Sequence, residues 1–202
     1  MDSEAVETPY GRANAFLHAA HDARAGLVLG HGAGGGVGSR DLVAVTGVAR
    51  TLGISVVLVE QPYRVAGRRS PAPAHQLDVA WIAVVEHLRA RTLEGLPLLV
   101  GGRSSGARVA CRTAHATGAS GVLCLAFPLQ PPRRSGAPAP SRLPELDAVG
   151  VPTLVVQGAR DPFGIPPSGT LREVVEVPGD HSLRSDIQAV AAAAREWLAR
   201  VL

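Results

Sequence analysis

The chain has 202 residues, 46% of them apolar, which suits one globular domain over residues 1–202 with a real core. All 20 basic residues are arginine, set against 17 acidic ones, for a formal charge of +3. Without lysine there is no Schiff-base chemistry and no Walker phosphate loop, and the scattered basicity with few aromatics argues against a nucleic-acid partner.

Cys111 and Cys124 are too few for a disulfide framework, and both lie in apolar runs, as buried thiols do. No stretch is long and apolar enough for a membrane span. The polar, acidic start MDSEAVETPYGR does not resemble a signal peptide, so a cytoplasmic protein is expected.

Residues 1–24 carry a weak pattern, and GRANAFLHAA fits either a short edge strand or a frayed helix. AGLVLGH (25–31) is a short apolar run bounded by glycine, the mark of a buried strand. The glycine-rich GAGGGVGSR (32–40) follows. DLVAVTGVARTLG (41–53) then has helical spacing through Leu42, Val45, Val48 and Leu52, with Ser39 as a candidate N-cap. SVVLVEQ (55–61) is a strand, 62–74 a long connection, and HQLDVAWIAVVEHLRART (75–92) an amphipathic helix.

LPLLVGG (96–102) is a strand, SGARVACRTAHATG (105–118) a helix closed by glycine, and SGVLCLAFP (120–128) a strand. Residues 128–150 are proline-broken and leave room for no more than a small flap. VPTLVVQG (151–158) and TLREVVEVPG (170–179) are strands, and SDIQAVAAAAREWLARVL (185–202) is the last helix. Strands that are nearly continuous in Val, Leu and Ile alternate with helices. That predicts an α/β fold with a mostly parallel central sheet, helices on both faces and little or no lid.

The sharpest signal is Gly102-Arg103-Ser104-Ser105-Gly106 between a predicted strand and a predicted helix. This is the context of a G-x-S-x-G nucleophile elbow, which makes Ser104 the candidate nucleophile and puts the N–H of Ser105 toward an oxyanion. A serine needs a base and an orienting acid. Asp161 follows the 151–158 strand and His181 follows the 170–179 strand, in the chain order of a hydrolase triad. Asp180 and Asp147 are rival acids, less well placed in sequence.

The loop Gly30-His31-Gly32-Ala33-Gly34-Gly35 supplies the other oxyanion donor from Ala33 or Gly34, with His31 shaping the loop. It also matches a dinucleotide fingerprint with Glu60 ending the next strand, which keeps a dinucleotide-binding oxidoreductase as an alternative. Against that, the glycines run on where a Rossmann helix should open. Arg64, Arg68, Arg69 and Arg103 are candidates for binding a carboxylated substrate. The histidines have no metal-binding spacing, and neither a metal nor an organic cofactor is expected.

LVLGHGAGGG, EQPYRVAGRRSPAP, VGGRSSGARVACR, VVQGARDPFG and GDHSL, in that order, resemble the α/β-hydrolase superfamily across residues 25–202. More narrowly they resemble the KANL3/Tex30-like group of small hydrolases, and in outline the dienelactone hydrolases. The resemblance implies that Ser104, Asp161 and His181 act as nucleophile, acid and base, that residues 31–35 form the oxyanion loop, and that 62–69 cross the site mouth. Relatives often carry G-K-S-M-G, where this chain has Arg103 and Ser105 at the two variable positions. The expected activity is serine-hydrolase cleavage of a small ester or thioester. The resemblance also implies a second alternative, because some relatives serve as non-catalytic interaction proteins.

Overall fold

The structure is a computed structural model that describes residues 2–130 and 140–202. The middle of the expected flap, residues 131–139, lies outside the described residues.

Eight strands form one sheet: β1 (Asp2–Thr8), β2 (Gly11–His18), β3 (Ala25–Gly30), β4 (Ile54–Glu60), β5 (Leu98–Arg103), β6 (Gly121–Leu125), β7 (Thr153–Gly158) and β8 (Arg172–Val177). Their order is β1-β2-β4-β3-β5-β6-β7-β8. The pairs β1–β2 and β2–β4 are antiparallel, and every other pair is parallel. The helices are α1 (Arg40–Thr51), α2 (Pro62–Val65), α3 (Ala74–Arg89), α4 (Ser105–Thr117), α5 (Leu143–Asp147) and α6 (Ile187–Val201).

Side chains alternate across the sheet, so each central strand feeds two cores. Val28, Val57 and Val59 pack with Trp81, Val84 and Val85 of α3 and Ala107 and Ala110 of α4. Leu27, Leu29, Val56 and Leu58 pack with Leu42 and Val45 of α1 and Trp197 and Leu198 of α6. Strands covered on both faces have no polar face to show, which is why they are continuous in aliphatic residues. No helix is long and apolar enough to cross a membrane among the described residues.

The N-terminal region differs from the expectation. Residues 1–24 contain not one ambiguous segment but a β-hairpin, β1 and β2, turned at Thr8-Pro9-Tyr10-Gly11. Gly11 takes a left-handed φ of 105° there, and the Thr8 hydroxyl donates to its carbonyl at 2.6 Å. Strand β1 lies at the sheet edge and buries only Val6 among its apolar side chains, so it has almost no hydrophobic period to read.

β3 lies between β4 and β5 although it precedes both. From β3 the chain runs on to β4 toward one edge of the sheet, and from β5 to β6 toward the other, so a crevice opens at the carboxyl ends of β3 and β5. The glycine loop and the Gly102–Gly106 corner meet there.

Candidate active site

Ser104 sits between β5 and α4 with φ 52° and ψ −107°. A non-glycine residue in that region costs about 1–3 kcal/mol, so the surroundings must hold it. They do: its N–H donates to the Leu125 carbonyl at 2.8 Å, and its carbonyl accepts from the Arg108 N–H at 3.2 Å. Close approach of chain explains the flanking glycines. A Cβ on Gly106 would lie 2.5 Å from the Gly30 carbonyl carbon, and one on Gly102 would lie 2.9 Å from the Gly30 nitrogen.

Asp161 and His181 reach the same point from the ends of β7 and β8. His181 Nε2 is 3.0 Å from Ser104 Oγ, and His181 Nδ1 is 2.7 Å from Asp161 Oδ2. A carboxylate only accepts, so Nδ1 carries the proton and Nε2 is left to accept from the serine hydroxyl. The Asp161 side chain is fully buried, and that of His181 is 19% exposed. The Phe163 ring packs edge-on against the imidazole at 4.5 Å between centroids.

The two loops are stitched together. The N–H groups of Ala159 and Arg160 donate to Val177 and Gly179 carbonyls at 2.9 and 2.8 Å. Gly158 is needed for this approach, since a Cβ on it would lie 2.7 Å from the Asp180 carbonyl carbon.

Sequence reasoning missed Gln157. This fully buried side chain, the last but one in β7, donates from Nε2 to Asp161 Oδ2 at 2.8 Å and lies within bonding distance of the Phe127 and Gly164 carbonyls. The Phe163 N–H holds the other carboxylate oxygen at 2.9 Å. The available signal was a single amide ending an otherwise apolar strand, because a buried polar group must have a partner.

His31 is buried. Its Nδ1–H donates to the Gly32 carbonyl at 2.8 Å and its Nε2 accepts from the Gln61 N–H at 3.1 Å. Burial lowers its pKa, which keeps the ring neutral in this role. The Tyr63 hydroxyl, its own pKa raised by burial, donates to the Ala33 carbonyl at 3.0 Å and pins the outer half of the loop. Gly32 passes close to the serine: a Cβ on it would be 3.6 Å from Ser104 Cβ. The N–H groups of Ala33, Gly34 and Ser105 have no acceptor among the described residues.

The four arginines do not act as one group. Arg103 is tied down, with Nε 2.9 Å from Asp41 Oδ2 and Nη2 donating to the His181 carbonyl at 2.9 Å. It is a strut between α1, the elbow and the histidine loop. Arg64 turns back on the Arg68 carbonyl, Arg68 borders a cavity beside the N-terminal hairpin, and Arg69 is exposed. None of these three forms a hydrogen bond or ion pair with Ser104, Asp161 or His181 among the described residues.

The rival acids lie elsewhere. Asp180 accepts from the hydroxyl and N–H of Ser182, bonds that lower its pKa, and Asp147 pairs with Arg172. The dinucleotide alternative also lacks its geometry. α1 opens only at Arg40, so no helix stands over Gly30–Gly35, and Glu60 accepts from the Asn14 amide at 3.1 Å.

A family model described as an alpha/beta hydrolase domain, Abhydrolase_11, matches residues 23–194. The chain belongs to the alpha/beta hydrolase family. Solved structures with the same fold include XC6422 from Xanthomonas campestris, described as an a/b serine hydrolase without lid. It shares 19% identity at a TM-score of 0.77, over 100% of this chain and 94% of that one. Est1E from Butyrivibrio proteoclasticus is similar at 16% identity and a TM-score of 0.80, over 100% and 99%. Dienelactone hydrolase from Anabaena variabilis is similar at 16% and 0.75, over 97% and 95%. No curated protein matches the chain. The hydrolase fold expected from the sequence is therefore the fold found.

Proposed function

We propose that this alpha/beta hydrolase cleaves small carboxylic esters or thioesters through an acyl-enzyme on Ser104, and that it belongs to the KANL3/Tex30-like group. The observation that carries the reading is the continuous line from Ser104 Oγ to His181 at 3.0 Å and on to Asp161 at 2.7 Å. It ends on a serine held in a strained backbone, as a nucleophile elbow requires.

In the first step Ser104 Oγ attacks the carbonyl carbon while His181 Nε2 takes the hydroxyl proton. The buried Asp161 carboxylate steadies the imidazolium. The carbonyl oxygen takes up the displaced electron pair and is received by the N–H of Ser105 and of Ala33 or Gly34. The C–O or C–S bond to the leaving group then breaks, and His181 returns the proton to that group. Water, deprotonated by the same imidazole, attacks the acyl-enzyme and releases the acid and free Ser104. The chain would work without cofactor, on a small-molecule substrate, in the cytoplasm.

Turnover of short p-nitrophenyl esters and of an acyl thioester tests this reading. Ser104→Ala should lower kcat by about 10⁴-fold or more. Equal turnover by wild type and Ser104→Ala would refute it. A folded protein with no turnover at all would favour the non-catalytic interaction protein instead.

A further inference from the structure

A polar cavity of about 580 Å³ opens on the glycine-loop side of Ser104. The loop itself, Ser39, Arg40 and Asp41 at the start of α1, Arg103, Ser182 and Arg184 line it. It borders the serine through Gly32 and Arg103. Gly32 in its wall runs beside Ser104, a Cβ there would lie 3.0 Å from Arg103 Nη1, and Ser182 follows His181. We propose that this cavity is an anion subsite, which takes the carboxylate or phosphate of an ester or thioester whose carbonyl stands at Ser104. The inference rests on the hydrolase reading above.

Three observations carry it. The first is charge. Three arginines and one aspartate line the cavity, with Arg40 and Arg184 exposed at its rim. Asp41 is already paired with Arg103, while Arg40 and Arg184 make no ion pair among the described residues. Two positive charges are thus in excess beside a reacting carbonyl, where arginine is suited to carboxylate and phosphate oxygens.

The second is the glycines themselves. Gly34, Gly36 and Gly38 have nothing within 4 Å of a Cβ position, and none has a positive φ. Neither packing nor backbone conformation calls for glycine there, in contrast to Gly102 and Gly106. What their bareness does provide is close access to the main chain, and the amides of Gly36 and Gly38 have no acceptor among the described residues.

The third is Ser39. Its hydroxyl oxygen is buried and has no hydrogen-bond partner, although the residue lines the cavity and caps α1 in sequence. A buried hydroxyl without a partner is costly, and a turn about χ1 toward the cavity would let it donate to a bound oxyanion.

The test compares mono-p-nitrophenyl adipate with p-nitrophenyl hexanoate, which match in chain length and differ in the terminal carboxylate. In wild type, kcat/KM should favour the adipate by about tenfold or more. In Arg40→Ala/Arg184→Ala that ratio should collapse toward one, mainly through KM. Gly36→Ala should lower the same ratio without lowering Tm, because the added methyl meets no protein atom.

Inorganic phosphate should raise Tm and inhibit competitively in wild type but not in the double variant. Phosphate protection together with the adipate preference would mark a general oxyanion site, and the preference without phosphate protection a carboxylate-selective one. Hexanoate turnover with no adipate preference and no phosphate effect would overturn the subsite and leave the hydrolase reading intact. Turnover of neither ester would remove the hydrolase reading. The subsite would then stand or fall on the phosphate-induced Tm shift and its loss in the double variant.

Discussion

Gln157 shows how much of the proposed chemistry depends on a side chain that touches no substrate. Its amide holds Asp161 Oδ2, the same oxygen that faces His181, and it anchors the acid loop at the Phe127 and Gly164 carbonyls. Gln157→Leu should remove a hydrogen bond to a charged group. The expected result is a kcat lower by about ten- to a hundredfold with KM little changed. Gln157→Glu keeps the volume but places a second carboxylate beside Asp161, so its kcat should fall further. Steady-state kinetics on both variants checks this, and wild-type kcat in either would show that Asp161 needs no such support. At this scale the sequence exposed Ser104, Asp161 and His181, because each stands just past an obvious strand end. Gln157, Asp41 and Arg184 were illegible. Their roles come from contacts across the fold, and no local pattern sets a bridging polar residue apart from a solvated one.

The elements show why the glycine content is high, and glycines at two positions should respond oppositely to the same substitution. Gly106 opens α4 against the end of β3, where a Cβ would lie 2.5 Å from the Gly30 carbonyl carbon. Gly106→Ala must push apart the two elements that carry Ser104 and the glycine loop. It should cost about 1–3 kcal/mol and most of the activity. Gly47 lies exposed in the middle of α1 with nothing within 4 Å of its Cβ position. Gly47→Ala should stabilise by about 0.5–1 kcal/mol, through helix propensity alone. Urea unfolding of the two variants decides the matter, and a shift of the same sign in both would contradict the packing account. The long buried strands and the helices α1, α3, α4 and α6 were readable from periodicity, whereas the short α2 and α5 fall in segments expected as connection and loop, too short to show a helical period. The β1–β2 hairpin was not readable either, because an edge strand with Val6 as its buried apolar anchor lacks the alternation that marks a half-buried strand.

Across the whole molecule the sheet joins two cores that share their strands, with Val28 facing one and Leu27 and Leu29 the other. Loss of either layer exposes the back of the same strands. We therefore propose that residues 1–202 form one domain, and thermal unfolding should be a single transition with equal calorimetric and van't Hoff enthalpies. Two resolved transitions would argue for separate units.

The same sheet brings together loops from β3, β5, β7 and β8, which lie far apart in sequence and converge at its carboxyl edge. The proposed hydrolase depends on that convergence making Ser104 the one activated hydroxyl. Mass spectrometry of the intact and digested protein after reaction with a fluorophosphonate tests this most directly. The account predicts one adduct per chain, located on Ser104, absent from Ser104→Ala and formed far more slowly in His181→Ala. An adduct on another residue, or labelling that survives Ser104→Ala, would contradict it.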